Sequence, residues 1–432
     1  MPTLRVWGAG AVAGIVLIAA PVAVRSLDTD RGSQVSPVGA RPASPADPIA
    51  AAQARLREVP DDAEALAALG GAYVERARVT GDASLYDRAG RALDRAPALS
   101  GPGTPTRVTA LVASAALANA RHDFAAGKES AVRAIEADPY HAPAYGALAD
   151  AATQLGDTKG ATEAIQRMLD LRPSVAAFTR ASYDLELRGD VDGARTALDR
   201  ALDGAFTRDE VAYCRLWQGE LARRYGDPAG ALGSYEAGLR TAPGDPALRA
   251  GRAAALADLG RVDEALAEYD RVTASAPIAQ YLTHYGESAE RAGRADLARE
   301  QFRLVAAQFA VQEAQGATDD VARAVFEADH GDPAEAVRRA EAERARRRSV
   351  HTADALAWAL YRAGRADAAL PYAVEATAGG WRDPDVLAHA AAIRAAASVD
   401  AGKAADAGNA GGTAGAGPTG TSAASGTSGG AR

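Results

Sequence analysis

The 432-residue chain has one cysteine, Cys214, and only 5% aromatic residues. A single thiol rules out a disulfide within the chain and a cysteine cage for a metal; inside a helix it serves as a small apolar filler. Hydrophobic residues nevertheless reach 48%, so the apolar mass is largely Ala, Leu and Val, which suits closely packed helices and disfavours aromatic-rich β-sandwiches. Positive charge is also short. The 48 Lys and Arg face 56 Asp and Glu, a net charge of −8, against the basic excess that phosphate backbones demand. The six histidines, His122, His141, His284, His330, His351 and His389, are scattered, with no i, i+4 pair to put two imidazoles on one helical face, so no zinc site is expected. No phosphate-cradling G-x4-G-K-S/T loop occurs. These gaps leave no catalytic pair, no cofactor site and no metal site to name, and the chain is not expected to be an enzyme.

What is present begins with one long uncharged run, the nineteen residues Val6 to Val24. At about 1.5 Å per helical residue they nearly match a hydrocarbon core of roughly 30 Å, so residues 1–25 read as a signal anchor, a single transmembrane helix. The alternative is a secretory signal with Arg5 as its positive end and cleavage at Val24-Arg25-Ser26, releasing the protein. Arg5 on one side is matched by Arg25 and Arg31 on the other, so the charge rule barely orients the span; the rest is expected outside the cytoplasm, at the cell membrane. Gly8-Ala9-Gly10-Ala11-Val12-Ala13 imitates a dinucleotide fingerprint, with Asp28 where a ribose-binding acid would fall. Pro21 and the Pro-rich segment that follows leave no room for the βαβ unit it needs. Residues 26–49, with Pro37, Pro42, Pro45 and Pro48, form a linker. Residues 399–432 are almost wholly Ala, Gly, Ser, Thr and Asp, a disordered tail.

Between them, at 50–398, the sequence repeats itself. Gly is followed five residues later by Ala at Gly156/Ala161, Gly189/Ala194, Gly226/Ala231, Gly260/Ala265, Gly293/Ala298, Gly331/Ala336 and Gly364/Ala369, in steps of 33, 37, 34, 33, 38 and 33. Asp or Arg follows each Gly. Gly suits a tight or left-handed turn between helix A and helix B of a hairpin, and small Ala lets the two helices approach. Pro139, Pro173, Pro243 and Pro277 are placed to end helix B. Each hairpin buries its stripe only against its neighbours.

At these residues the chain resembles the tetratricopeptide repeat family, whose unit of about 34 residues reads W-x2-L-G-x2-Y, then Gly, Ala, an aromatic, Ala and Pro. Leu69-Gly70 with Tyr73 fits, as do Tyr145, Leu148, Gly156, Ala161 and Pro173, and Tyr285-Gly286, Gly293, Ala298 and Phe302. Nine units fall at about 63–99, 108–141, 142–174, 175–211, 212–245, 246–278, 279–316, 317–349 and 350–383. The first has extra residues before Gly81, the second has Gly127 where Ala is expected, and a last helix, Asp383 to Ala397, lacks the Gly and Ala of a full unit and reads as a cap. The resemblance implies an all-α fold, an α-solenoid coiled into a right-handed superhelix, in a bacterial protein with a signal anchor.

The resemblance also implies function: a non-catalytic scaffold that binds a protein partner in the concave groove, lined by positions 2, 5, 9 and 12 of each helix A. That register picks Tyr213, Leu216, Glu220 and Arg223 in unit 5, Gln280, Thr283, Glu287 and Glu290 in unit 7, and His351, Asp354, Trp358 and Tyr361 in unit 9. The candidate partner-binding set is Tyr213, Glu220, Arg223, Glu287, Glu290, Trp358 and Tyr361. Trp and Tyr are frequent binding hot spots. Position 9 is Asp150, Tyr183, Glu220, Ala254, Glu287 or Trp358 and never Asn, so the family's Lys/Asn carboxylate clamp is not expected. Groove aromatics such as Tyr183, Trp358 and Tyr361 keep open an alternative, an accessory protein binding a small molecule or glycan. The basic cluster Arg338, Arg339, Arg344, Arg346, Arg347 and Arg348 has no interleaved aromatics and reads as a complement to the dipole at a helix C-terminus, not as a nucleic-acid site.

Overall fold

The computed structural model describes residues 47–316 and 319–411, with side chains through Val399. The hydrophobic run Val6 to Val24, nearly all of the linker and residues 412–432 lie outside the described residues. No helix among the described residues is long and apolar enough to cross a membrane.

The described residues form twenty α-helices and no strand. A short α1 (Pro48–Glu58) comes first, and then the hairpins follow the repeat units. Units 1 to 3 are α2 (Ala63–Thr80) with α3 (Ser84–Arg95), α4 (Pro105–Ala120) with α5 (Phe124–Ala137), and α6 (Ala142–Leu155) with α7 (Thr158–Leu171). Units 4 to 6 are α8 (Val175–Leu187) with α9 (Val191–Asp203), α10 (Arg208–Arg224) with α11 (Pro228–Thr241), and α12 (Pro246–Asp258) with α13 (Val262–Ser275). Units 7 to 9 are α14 (Ala279–Arg291) with α15 (Ala295–Ala314), α16 (Asp320–His330) with α17 (Pro333–Arg346), and α18 (Val350–Arg362) with α19 (Ala366–Ala378). The last helix, α20 (Pro384–Gly411), runs past the expected Ala397 and into residues 399–411, read above as part of a disordered tail, through a continuation rich in Ala and without a Pro to stop it. Pro48, grouped above with the linker, is instead the first residue of α1, capped by Asp47.

The repeating residues act as the spacing requires. The seven phased alanines are all buried. Six of the seven turn glycines take the left-handed conformation, Gly156 and Gly226 at φ 82°. Gly331 does not, at φ −128°; there the Glu327 carboxylate folds over the turn and accepts from the Asp332 amide at 3.1 Å, and a Cβ would meet it. Unit 2 has no turn glycine, and His122 takes the left-handed conformation in its place. The Asp after the Gly is the cap of helix B: Asp157, Asp190 and Asp227 each accept an amide of the first turn at 2.8–2.9 Å, a bond worth about 1 kcal/mol. Where Arg stands instead, at Arg261, Arg294 and Arg365, no side chain caps the helix. Gly127 leaves room for the Asn119 amide, which bonds the Ala147 carbonyl of the next unit at 3.2 Å.

The hairpins wind so far that the array meets itself. The helix A to helix B turn of unit 1 reaches the turn before unit 7, where a Cβ on Gly81 would lie 3.0 Å from Ile278. In unit 2, His122 faces Asp319 before unit 8 at 3.8 Å. In unit 3, Gly156 sits against the carbonyl of Arg348 before unit 9, and in unit 4, Gly189 against that of Gly380 before α20. The offset is always six units, so one superhelical turn takes about six hairpins and its successor rests edge-on upon it.

Candidate functional site

The inner face is built from the helix A residues that the hairpin cores leave over. The cores are closed by Ala and Leu between neighbouring helices, as where Ala253, Leu266, Tyr269 and Ala289 pack together. The groups facing inward are charged, and they pair from one unit to the next. Arg180 donates to both oxygens of Asp150 at 2.8 and 2.7 Å. Arg224 bonds Glu186 of the preceding unit, and it also lies 3.5 Å from Asp383, across the line where the array meets itself. Asp258 receives Arg223 at 3.3 Å and Arg291 at 3.9 Å. Glu287 faces His330 at 3.5 Å. Asp329 bonds Arg362 and accepts the Trp358 indole N–H at 3.0 Å. His389 of α20 lies 3.1 Å from Asp354.

Burial shapes the protonation of this ladder. It raises the Asp150 carboxyl against the pull of Arg180, and raises Glu287 against that of His330. It pushes the His284 imidazole down to about 3, helped by Arg223 and Arg291. His351 also falls to about 3 through burial, with Arg347 and Arg224 nearby. Burial works against a charge on His389 too, but the Asp354 carboxylate outweighs it and holds that imidazole above its ordinary value.

The structure spreads the candidate residues along the ladder and does not gather them into one pocket. Tyr213 stands edge-on to Trp217 at 6.1 Å, and burial pushes its phenol up to about 12. Glu220 accepts the Tyr235 hydroxyl at 2.8 Å and lies 4.0 Å from Arg223. Glu290 is exposed. Trp358 is 7% exposed, stacked on His389 with ring centroids 4.0 Å apart and tilted to Tyr361 at 5.2 Å; α20 supplies the cover that buries it. Leu216, Gln280 and Tyr361 are half-buried, and Thr283 is buried, bonding the Ala279 carbonyl at 2.9 Å. His351 is buried against Tyr183 and Trp381.

Register reasoning missed Asp258 and Asp329, each one residue past the last lining position. A signal was there: position 13 of helix A reads Arg224, Asp258, Arg291, Asp329, Arg362 in units 5 to 9, alternating in sign. A cavity of about 10 Å³ between α8, α9 and α10, lined by Tyr183, Glu186, Trp217, Glu220 and Arg224 among others, holds about one water. Among the described residues no group of three or more His, Cys, Asp or Glu is placed to hold a metal.

Two family models, each described as tetratricopeptide repeat, match residues 180–246 and 222–284. Those residues resemble tetratricopeptide repeats. The described residues form an all-helical, tetratricopeptide-like solenoid. None of the curated proteins matches the sequence. Among solved structures, yeast Tom70 aligns at 15% identity over 81% of this chain and 84% of its own, with a TM-score of 0.45. A tetratricopeptide repeat protein from Parabacteroides merdae aligns at 18% identity over 59% and 96%, TM-score 0.41. A thermophilic repeat protein from Thermus thermophilus aligns at 22% over 40% and 91%, TM-score 0.36. At these scores none of the three bears on what this chain binds.

Proposed function

We propose that this chain is a non-catalytic scaffold that holds a segment of a partner protein along its inner face, tethered to a membrane through Val6 to Val24 with the repeats outside the cytoplasm. Tetratricopeptide repeat proteins are generally protein-interaction scaffolds. The observation that carries the inner face as the binding surface is the loose pairing of its charges in units 5 to 8. The Arg223–Glu220, Arg291–Asp258 and His330–Glu287 pairs are 4.0, 3.9 and 3.5 Å long, beyond good hydrogen-bond length. Arg291 keeps 39% and Asp258 28% of its side-chain exposure. Such groups retain donors and acceptors for an extended segment that carries charges of both signs. The small-molecule alternative gains no support from a cavity the size of one water or from a Trp358 covered by α20.

A photo-crosslinking amino acid at Glu290 in the full chain, expressed in its own cells, should trap one discrete protein. The same group at the exposed Arg303 on α15 should not. Equal trapping from both positions, or none from Glu290, would overturn inner-face binding.

A further inference from the structure

The stacking of one superhelical turn on the next closes the array into a ring along units 1–4. We propose that the ring opens along this seam, between the turns of units 1–4 and those that precede units 7–9 and α20, so that the seam gates access to the inner face. The proposal deepens the scaffold reading and rests on it.

The composition of the seam supports an interface that parts without unfolding the hairpins. Its centre is polar. Arg347, on the turn before α18, reaches across to the Gln154 carbonyl and side chain at 3.1 and 2.7 Å, bonds Glu343 and lies 4.7 Å over the Phe124 ring. Tyr183 Oη and His351 Nε2 meet at 2.9 Å. Arg224 joins Glu186 on one side of the seam to Asp383 on the other. One small apolar cluster crosses it, in which Leu187 of unit 4 and Val350 pack on Ala353, Ala376, Trp381 and Val386. Buried charges hold an interface weakly compared with apolar packing, because parting returns them to water. Two donors at the seam, Arg347 Nη2 and Trp381 Nε1, are buried without a hydrogen-bond partner, a cost that opening removes. Within a hairpin the contacts are continuous helix faces of Ala and Leu, so separation at the seam is the cheapest large motion open to the ring.

The test needs no partner. Ser349 is buried in the seam, next to Gly156, and Ser349→Cys is nearly isosteric. Cys214, buried among α8, α9 and α10 away from the seam, reports wider unfolding in the same molecule. Both thiols of the full chain are labelled with an alkylating reagent, and each rate is normalised to its rate in denaturant. Gly156→Ala and Gly226→Ala form a matched pair: both positions have φ 82°, but only at Gly156 does the new Cβ strike the opposite side of the seam, while Gly226 has nothing within 4 Å. The Ser349→Cys thiol should label about tenfold or more faster than Cys214. Gly156→Ala should speed it about tenfold again and leave Cys214 unchanged, whereas Gly226→Ala should leave the Ser349→Cys rate where it was. A common rate for the two thiols, or equal effects of the two alanines on Ser349→Cys, would overturn the proposal. Either result leaves the scaffold reading to the cross-linking experiment.

Discussion

The phenol of Tyr183 and the imidazole of His351 meet at 2.9 Å although 168 residues separate them. The pair ties unit 4 to unit 9, with Arg224 and Arg347 facing the imidazole and Trp381 edge-on to it at 4.8 Å. Burial among two guanidinium groups keeps His351 neutral when folded.

That neutrality makes the fold sensitive to acid. With a folded pKa of about 3 and an unfolded one of about 6.5, His351 takes up a proton on unfolding at any pH between them. Its contribution is therefore complete above about pH 6.5 and shrinks as pH falls towards 3. Between pH 7 and 5.5 it should cost the wild type about 1 kcal/mol, and His284, lowered by the same amount, a similar sum. Thermal unfolding of His351→Gln should show a smaller loss over that interval than wild type; an identical loss would mean that His351 is not the acid-sensitive group.

Asp150 and Arg180 are a buried pair, their side chains 12% and 8% exposed. Asp150→Ala strands a buried guanidinium and should destabilise by about 3–5 kcal/mol, while Asp150→Leu with Arg180→Met should recover most of that loss. Urea unfolding of the single and double variants measures the difference.

The Tyr235 ring fills the space beside two helix A glycines, Gly219 and Gly251, and is wholly buried. An alanine normally stabilises a helix interior by about 1 kcal/mol relative to glycine. Gly251→Ala should do the reverse and lower stability by about 1–3 kcal/mol, since its Cβ strikes the ring. An unchanged urea midpoint would show that the ring can move aside.

Glu290 is exposed, and Glu290→Arg should change stability by no more than about 0.5 kcal/mol. If the inner face binds a segment, the same variant should lose most cross-linking from a probe at Arg223. Retained cross-linking would move the binding surface elsewhere.

A reporter active only outside the cytoplasm, fused after Arg432, should give activity in the membrane fraction. Activity in the medium would mean the Val6 to Val24 segment is cleaved, and no activity with full expression would place the repeats inside.

The hairpins were legible because each rests on local chemistry with a period. A left-handed turn calls for Gly156 or Gly226, a close helix crossing for Ala231 or Ala265, and Pro139, Pro173, Pro243 and Pro277 each stand two residues past a helix end. Where local chemistry was replaced, by the carboxylate lid of Glu327 at Gly331 or by His122 as a turn residue, the motif gave no warning. The inner-face ladder was half legible. Glu220, Arg223 and Glu287 fell on the assumed register, but their partners Asp258 and His330 lie outside it. The burial of Trp358 depends on α20, which has no repeat signature. The seam left no trace, because Gly156 and Gly189 meet backbone carbonyls, and a carbonyl is the same in every residue.

An open solenoid couples each unit only to its neighbours, so it frays from its ends and folds from contacts close in sequence. Here Arg347 and Gln154 stand 193 residues apart, and such pairs join the last quarter of the array to its first half. The ring therefore has no ordinary C-terminal end: loosening α19 and α20 withdraws support from unit 4. Cooperativity should span most of the chain, and the final closure, with its high contact order, should be the slowest step of folding.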